Sequence, residues 1–183
     1  LLPRSPPPLP SIAKHYAGRR GLRLLYIATE LPKTATREEA ATTMLTICTE
    51  ALGEELLDAV RGHDDSTVRE LLVLGADPNM IVETELGPRS ILIEAISVND
   101  VRCVVVLLEG GASVNEGGTR VSPLKVVVGQ NYATLVEPIC NAGIDQDIID
   151  YCLVFACKLG YKESALMLLK CGADPANLSV LGD

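Results

Sequence analysis

The chain has 183 residues, enough for one compact body with a sizeable core plus a tail, and 48% of it is apolar. Without Trp and with a single Phe, Phe155, its interior has to be assembled from Leu, Val, Ile and Ala, which suits closely packed helices. The formal net charge of −8 hides an asymmetry: residues 1–29 carry Arg4, Lys14, Arg19, Arg20 and Arg23 and no acid, so the remainder sets eleven bases against twenty-four acids, a net −13. A body that acidic lacks the clustered Lys and Arg that phosphate contacts need, which leaves nucleic-acid binding to the arm alone.

The chain opens on Leu1 rather than Met, which reads as a processed product or part of something longer. An acid-free, Arg-containing opening resembles what remains of an organellar transit segment, although such segments are Ser-rich rather than Pro-rich. Pro3, Pro6, Pro7, Pro8 and Pro10 block helix and sheet ladders alike and favour extended polyproline II, a spacer first and a docking ligand second. The apolar cluster Leu22, Leu24, Leu25, Tyr26 and Ile27 closes at Leu31-Pro32 and reads as a strand or one helical turn. Residues 1–33 are assigned to this basic, Pro-rich arm.

From Thr36 a helical period takes over. Arg37-Glu38-Glu39 put acid in a first turn, and Ala41, Met44, Leu45, Cys48 and Leu52 fall on one stripe, so a helix over 34–53, ending near Gly53, is expected to cap the C-terminal body. Cys48, Cys103, Cys140, Cys152, Cys157 and Cys171 form neither a CxxC pair nor a dense framework, which reads as a reducing compartment. No apolar run approaches the roughly 18–20 residues of a membrane helix.

The decisive feature is an internal repeat. Four segments end alike: Leu71-Leu72-Val73-Leu74-Gly75-Ala76-Asp77-Pro78-Asn79, Leu107-Leu108-Glu109-Gly110-Gly111-Ala112-Ser113-Val114-Asn115, Ile139-Cys140-Asn141-Ala142-Gly143-Ile144-Asp145-Gln146, and Leu168-Leu169-Lys170-Cys171-Gly172-Ala173-Asp174-Pro175. The glycines are 36, 32 and 29 residues apart. An aliphatic pair on the last helical turn packs inward, glycine supplies the left-handed stop, and Asp, Asn and Pro make the turn. Upstream, Ser90-Ile91-Leu92, Ser122-Pro123-Leu124 and Tyr151-Cys152-Leu153 each open 21 residues before their glycine. The first copy fits with one residue inserted around Asp64-Asp65, taking Leu57-Asp58-Ala59 as its opening and Gly62-His63 as its inter-helix turn.

By this recurrent ending, recurrent opening and fixed offset, the chain resembles the ankyrin-repeat family over about residues 54–177. The resemblance implies an all-α solenoid of about four helix-turn-helix repeats, 54–79, 90–115, 122–146 and 151–177, within a domain over 54–183. It also implies outward connectors and a concave face that commonly binds proteins. The connector Met80–Arg89 is longer than the family norm, and Glu116–Val121 and Asp147–Asp150 are shorter, so regular hairpins are lost or distorted. Pro138 falls where a second helix should continue, so that helix is expected to start late or to kink. His63 stands where the family places a structural His that hydrogen-bonds locally.

Enzyme chemistry finds little footing. His15 and His63 are the only histidines, and no zinc-protease, hydrolase-elbow or phosphate-loop pattern occurs. Cys152 and Cys157 lack further ligands, Cys140 stands in for an aliphatic, and the acidic clusters lack the spacing of a calcium loop, so neither metal nor cofactor is expected. The expected function is a non-enzymatic adaptor or accessory subunit binding other proteins within a multi-subunit assembly. Matching the family's variable surface position by position gives Val60, Arg61, Ser97, Val98, Gly129, Gln130, Lys158 and Leu159 on the helices, and Ile81, Glu83, Arg89, Arg120 and Val121 on the connectors. Ile81, Val82 and Val98 would act as apolar anchors. The alternative is a subunit of an organellar ribonucleoprotein or membrane-associated complex, anchored by the arm, with Arg19, Arg20 and Arg23 touching RNA. The expected compartment is intracellular, a mitochondrion or plastid, with the cytoplasm as the alternative.

Overall fold

The computed structural model describes residues 37–84, 87–115 and 122–176, with side chains from Thr49 onward. The arm with Arg19, Arg20 and Arg23, the side-chain stripe from Ala41 to Cys48, and connector residues Arg120 and Val121 lie outside the described residues. The chain divides into two units, Leu1–Glu54 and Glu55–Asp183. Helix α1 (Arg37–Arg61) supplies the described part of the first unit and opens the second. The expected helix end near Gly53 is corrected: nothing stops the helix there, because the next residues, Glu54-Glu55-Leu56-Leu57, are good helix formers and the left-handed stop comes only at His63, with φ 57°.

Beyond α1 the described elements are α2 (Asp65–Val73), β1 (Ile81–Thr84), β2 (Gly87–Ser90), α3 (Ile91–Ser97), α4 (Val101–Glu109), α5 (Pro123–Gly129), α6 (Ala133–Asn141), α7 (Gln146–Leu159) and α8 (Lys162–Lys170). Among the described residues the fold is mostly helical with one small two-stranded sheet. Successive first helices α3, α5 and α7 touch one another, as do the second helices α2, α4, α6 and α8. Each of α3, α5 and α7 also packs on the second helix after it, giving two helical layers.

The four second helices are copies in register. Each has nine residues, starts ten residues before its glycine and ends two before it. Gly75, Gly111, Gly143 and Gly172 all adopt left-handed φ values, between 87° and 97°. Twelve residues before each glycine stands a second left-handed residue, His63, Asn99, Asn131 or Gly160, which turns the first helix into the second. These turns are closed by the bonds of a Schellman cap: Asp100 N–H to Ala95 O at 3.2 Å and Asn99 N–H to Ile96 O at 2.9 Å are typical.

The register corrects the reading of the first copy. His63 sits at the same offset as Asn99, Asn131 and Gly160, so no residue is inserted at Asp64-Asp65. The equivalent of Leu92, Leu124 and Leu153 is therefore Leu56 and not Leu57, and all four are at most 2% exposed. Leu71, Leu107, Ile139 and Leu168 form the matching row in the second layer, each fully buried. Burying such a side chain contributes about 1.5–3 kcal/mol. Only the first member of each aliphatic pair is buried in this way, and Leu169 is 43% exposed.

Two departures have local causes. Helix α6 neither starts late nor loses register at Pro138: it begins at Ala133 like its neighbours and carries Pro138 inside, leaving the Thr134 carbonyl without its helical donor. Helix α7 begins at Gln146, five residues before the Tyr151 opening, because the short connector has been absorbed into the helix.

The long connector, by contrast, pairs as an antiparallel hairpin, with Ile81 opposite Ser90, Val82 opposite Arg89, Glu83 opposite Pro88 and Thr84 opposite Gly87. Neighbouring turns are tied by side-chain amides. Asn79 Nδ2 donates to Gly111 O at 3.3 Å while its Oδ1 accepts from Ser113 N–H at 2.7 Å, and Asn115 repeats this on Gly143 O and Asp145 N–H at 3.1 and 3.0 Å. At the last junction two residues divide this role. Gln146 Nε2 donates to Gly172 O at 2.9 Å, and Asp150 Oδ1 accepts from Asp174 N–H at 2.8 Å. That explains why Asp150 is only 4% exposed without being a misplaced charge.

Candidate protein-binding face

Helical periodicity puts positions 21, 18, 17, 14 and 13 before each glycine on one side of the first helices. Cross-helix contacts show these positions meeting. At one end Arg61 reaches Glu94, with both Nε and one Nη 2.8 Å from the same carboxylate oxygen. The Glu94 side chain is 13% exposed, so this carboxylate is largely covered while Arg61 stays at 48%. The two charges offset one another at this end of the face.

The other end is aromatic and basic. The rings of Tyr151 and Phe155, one helical turn apart on α7, stack with centroids 6.4 Å apart and planes 11° from parallel. Lys125 Nζ on α5 lies 5.2 Å from the Tyr151 centroid and 5.8 Å from that of Phe155, within cation–π range. Gly129 gives the Phe155 ring room, since a Cβ there would stand 3.6 Å from the ring edge. Around this cluster Gln130 and Lys158 are exposed, Tyr151 is 40% exposed and Leu159 42%. An aromatic platform flanked by Lys125 and Lys158 stands out on a body of net negative charge.

The residues expected on this face distribute unevenly. Val60 is corrected: it is fully buried, because the mistaken one-residue insertion moved a core position onto the surface, and the true equivalents of Lys158 and Leu159 are Arg61 and Gly62. Ser97 and Val98 are half-buried, and Ser97 Oγ is committed to the Ile93 carbonyl at 2.9 Å. On the hairpin, Ile81 (44% exposed) and Glu83 face outward and Arg89 is half-buried. Val82 is corrected as an apolar anchor, since strand alternation turns it inward to 6% exposure. Lys125, Tyr151, Phe155 and Glu94 were not among the residues expected from sequence. Counting back three, four and seven residues from Gly129 and Lys158 on their helices would have found the first three.

Several other polar side chains serve the helix ends and turns. His63 Nδ1 lies 2.9 Å from Asp100 Oδ2, so the histidine bridges to the next turn instead of bonding locally as expected. Although partial burial works the other way, the Cys103 N–H and His63 hold the Asp100 carboxyl below its ordinary range. Asp64 caps α2, and the Ser66 hydroxyl, the Thr67 hydroxyl and the Thr67 N–H together lower its pKa to about 2. Among the described residues no group of three or more His, Cys, Asp or Glu is arranged to hold a metal ion, and no helix is long and apolar enough to cross a membrane. No protein-family model matches the chain, and no curated protein matches it in sequence.

Proposed function

We propose that the chain is a non-enzymatic protein-binding module of the ankyrin-repeat type, an adaptor or accessory subunit of a larger assembly. The observation that carries this reading is the common register of the four helix pairs, with turn residues at twelve and zero and nine-residue second helices between. Stacked pairs of this kind hold their first helices side by side and so build an extended face from many short elements. On that face the platform of Tyr151 and Phe155, flanked by Lys125, Lys158 and Leu159, is the anchor, since interface centres favour aromatic groups. Arg61, Val98, Gln130 and the outward hairpin residues Ile81 and Glu83 extend the contact. The five cysteines with described side chains are free thiols.

The rival reading gives recognition to the basic arm, through Arg19, Arg20 and Arg23, in an organellar ribonucleoprotein or membrane-associated complex. Affinity capture from native extract separates the two, using the full chain and a version lacking residues 1–33, each at low and high salt. Under the module reading both versions hold the same partners through the high-salt wash. Capture that needs residues 1–33 and falls steeply with salt would assign binding to the arm instead.

A further inference from the structure

The common register brings two cysteines together at the last junction of the second layer. Across each junction, the residue one before a glycine faces the residue three before the preceding glycine. At the first junction this is Gly110 against Leu72, so close that a Cβ on Gly110 would stand 2.7 Å from a Leu72 methyl. At the second, Ala142 and Leu108 line the same open groove between α4 and α6. At the third the same two positions are Cys171, at the C-terminus of α8, and Cys140, on the last turn of α6, and the two thiols are neighbours across the junction. Both are half-buried free thiols, whereas Cys103 and Cys152 are buried and Cys157 is exposed.

We propose that Cys140 and Cys171 are a redox-active dithiol, oxidised by a small disulfide such as oxidised glutathione to an intramolecular disulfide that staples α6 to α8. Burial, and then the Cys171 thiol beside it, push the Cys140 thiol well above the usual cysteine range, which suits it to the second, resolving step and leaves the first attack to Cys171. Its thiolate sulfur attacks one sulfur of the oxidant, forming a mixed disulfide and releasing one glutathione thiolate. Cys140 then gives its proton to water, and its sulfur displaces the second glutathione from Cys171. Two protein thiols are oxidised to one disulfide, and the oxidant is reduced to two thiols.

The test uses the full chain, reduced, desalted and exposed to increasing oxidised glutathione, followed by alkylation and non-reducing peptide mapping. The expected product is lighter by two hydrogens and joins the peptides carrying Cys140 and Cys171. It is absent from Cys140→Ser and from Cys171→Ser, unchanged in Cys157→Ser, and has a higher thermal midpoint that dithiothreitol reverses. The proposal is overturned if Cys157 becomes glutathionylated while Cys140 and Cys171 both stay open to alkylation, if Cys140 links to the neighbouring Cys152 instead, or if the linked form melts earlier than the reduced one.

Discussion

The second helices α2, α4, α6 and α8 are four copies of one nine-residue element, while the first helices run from seven residues in α3 and α5 to fourteen in α7 and twenty-five in α1. The two layers therefore obey different rules. In the second layer each helix is fixed at both ends, by a left-handed turn before it and a left-handed glycine after it, and its buried aliphatic must meet the same row in the next pair. A first helix is fixed only at its C-terminal turn. Its start is free to slide along the connector, so length variation collects there, and so do the varied side chains of the exposed face.

The sharpest way to break this comparison is a one-residue insertion. An alanine placed after Val105 in α4 turns Val106 and Leu107 about 100° out of the core and is expected to cost more than about 4 kcal/mol in urea unfolding, beyond a single core truncation. The same insertion between Thr84 and Gly87 should cost far less, because it moves no member of the two buried rows. Equal losses at the two sites would refute the difference between layers.

Next in size, Leu107→Ala removes a fully buried side chain of the second-layer row and should destabilise by about 2–5 kcal/mol, whereas Leu169→Ala, at a 43% exposed position, should cost under about 1 kcal/mol by the same assay. Pro138→Ala restores the donor to the Thr134 carbonyl without moving the ends of α6, so it is expected to stabilise by up to about 3 kcal/mol, read as a higher urea midpoint. Gly111→Ala meets no atom within 4 Å, so only the left-handed φ of 93° opposes it, a loss of about 1–2 kcal/mol.

The smallest effect is a pH dependence. Asp64 has its folded pKa lowered from 3.8 to about 2, so the folded chain binds fewer protons there than the unfolded chain across that window. The cap's contribution is complete above about pH 4 and disappears as the pH falls towards 2. Thermal midpoints measured from pH 6 to pH 2 should fall more steeply for the wild type than for Asp64→Asn.

Much of the second layer was legible in the sequence, because Gly75, Gly111, Gly143 and Gly172 carry a backbone requirement that few other residues meet. The first layer was less legible, for a physical reason in each case. Leu56 and Leu57 are adjacent and no Ser or Pro marks a helix start beside them, as Ser90 and Ser122 do for α3 and α5, so the opening was ambiguous by one residue, and the expected insertion at Asp64-Asp65, a shift in the opposite sense, carried Val60 to the surface. Asn99 and Asn131 tolerate the left-handed conformation but also occur widely elsewhere, so the inter-helix turns carried no signal comparable to the glycines. The cluster of Lys125, Tyr151 and Phe155 joins two helices, and a cation–π contact leaves no trace along a single stretch of sequence. Gln146 and Asp150 together replace one asparagine, a substitution visible only once the shortened connector is seen as helix.

The most direct test of the proposed binding face compares equal charge changes on the two layers. Lys125→Glu with Lys158→Glu alters the first-helix face, and Lys162→Glu with Lys170→Glu makes the same change on α8, where both lysines are exposed. Partner capture from native extract, quantified by mass spectrometry after matching thermal midpoints, should fall at least about tenfold for the first pair, a loss of some 1.4 kcal/mol, and stay within about twofold of wild type for the second. Capture lost with the second pair and kept with the first would contradict the account and move recognition to the other layer.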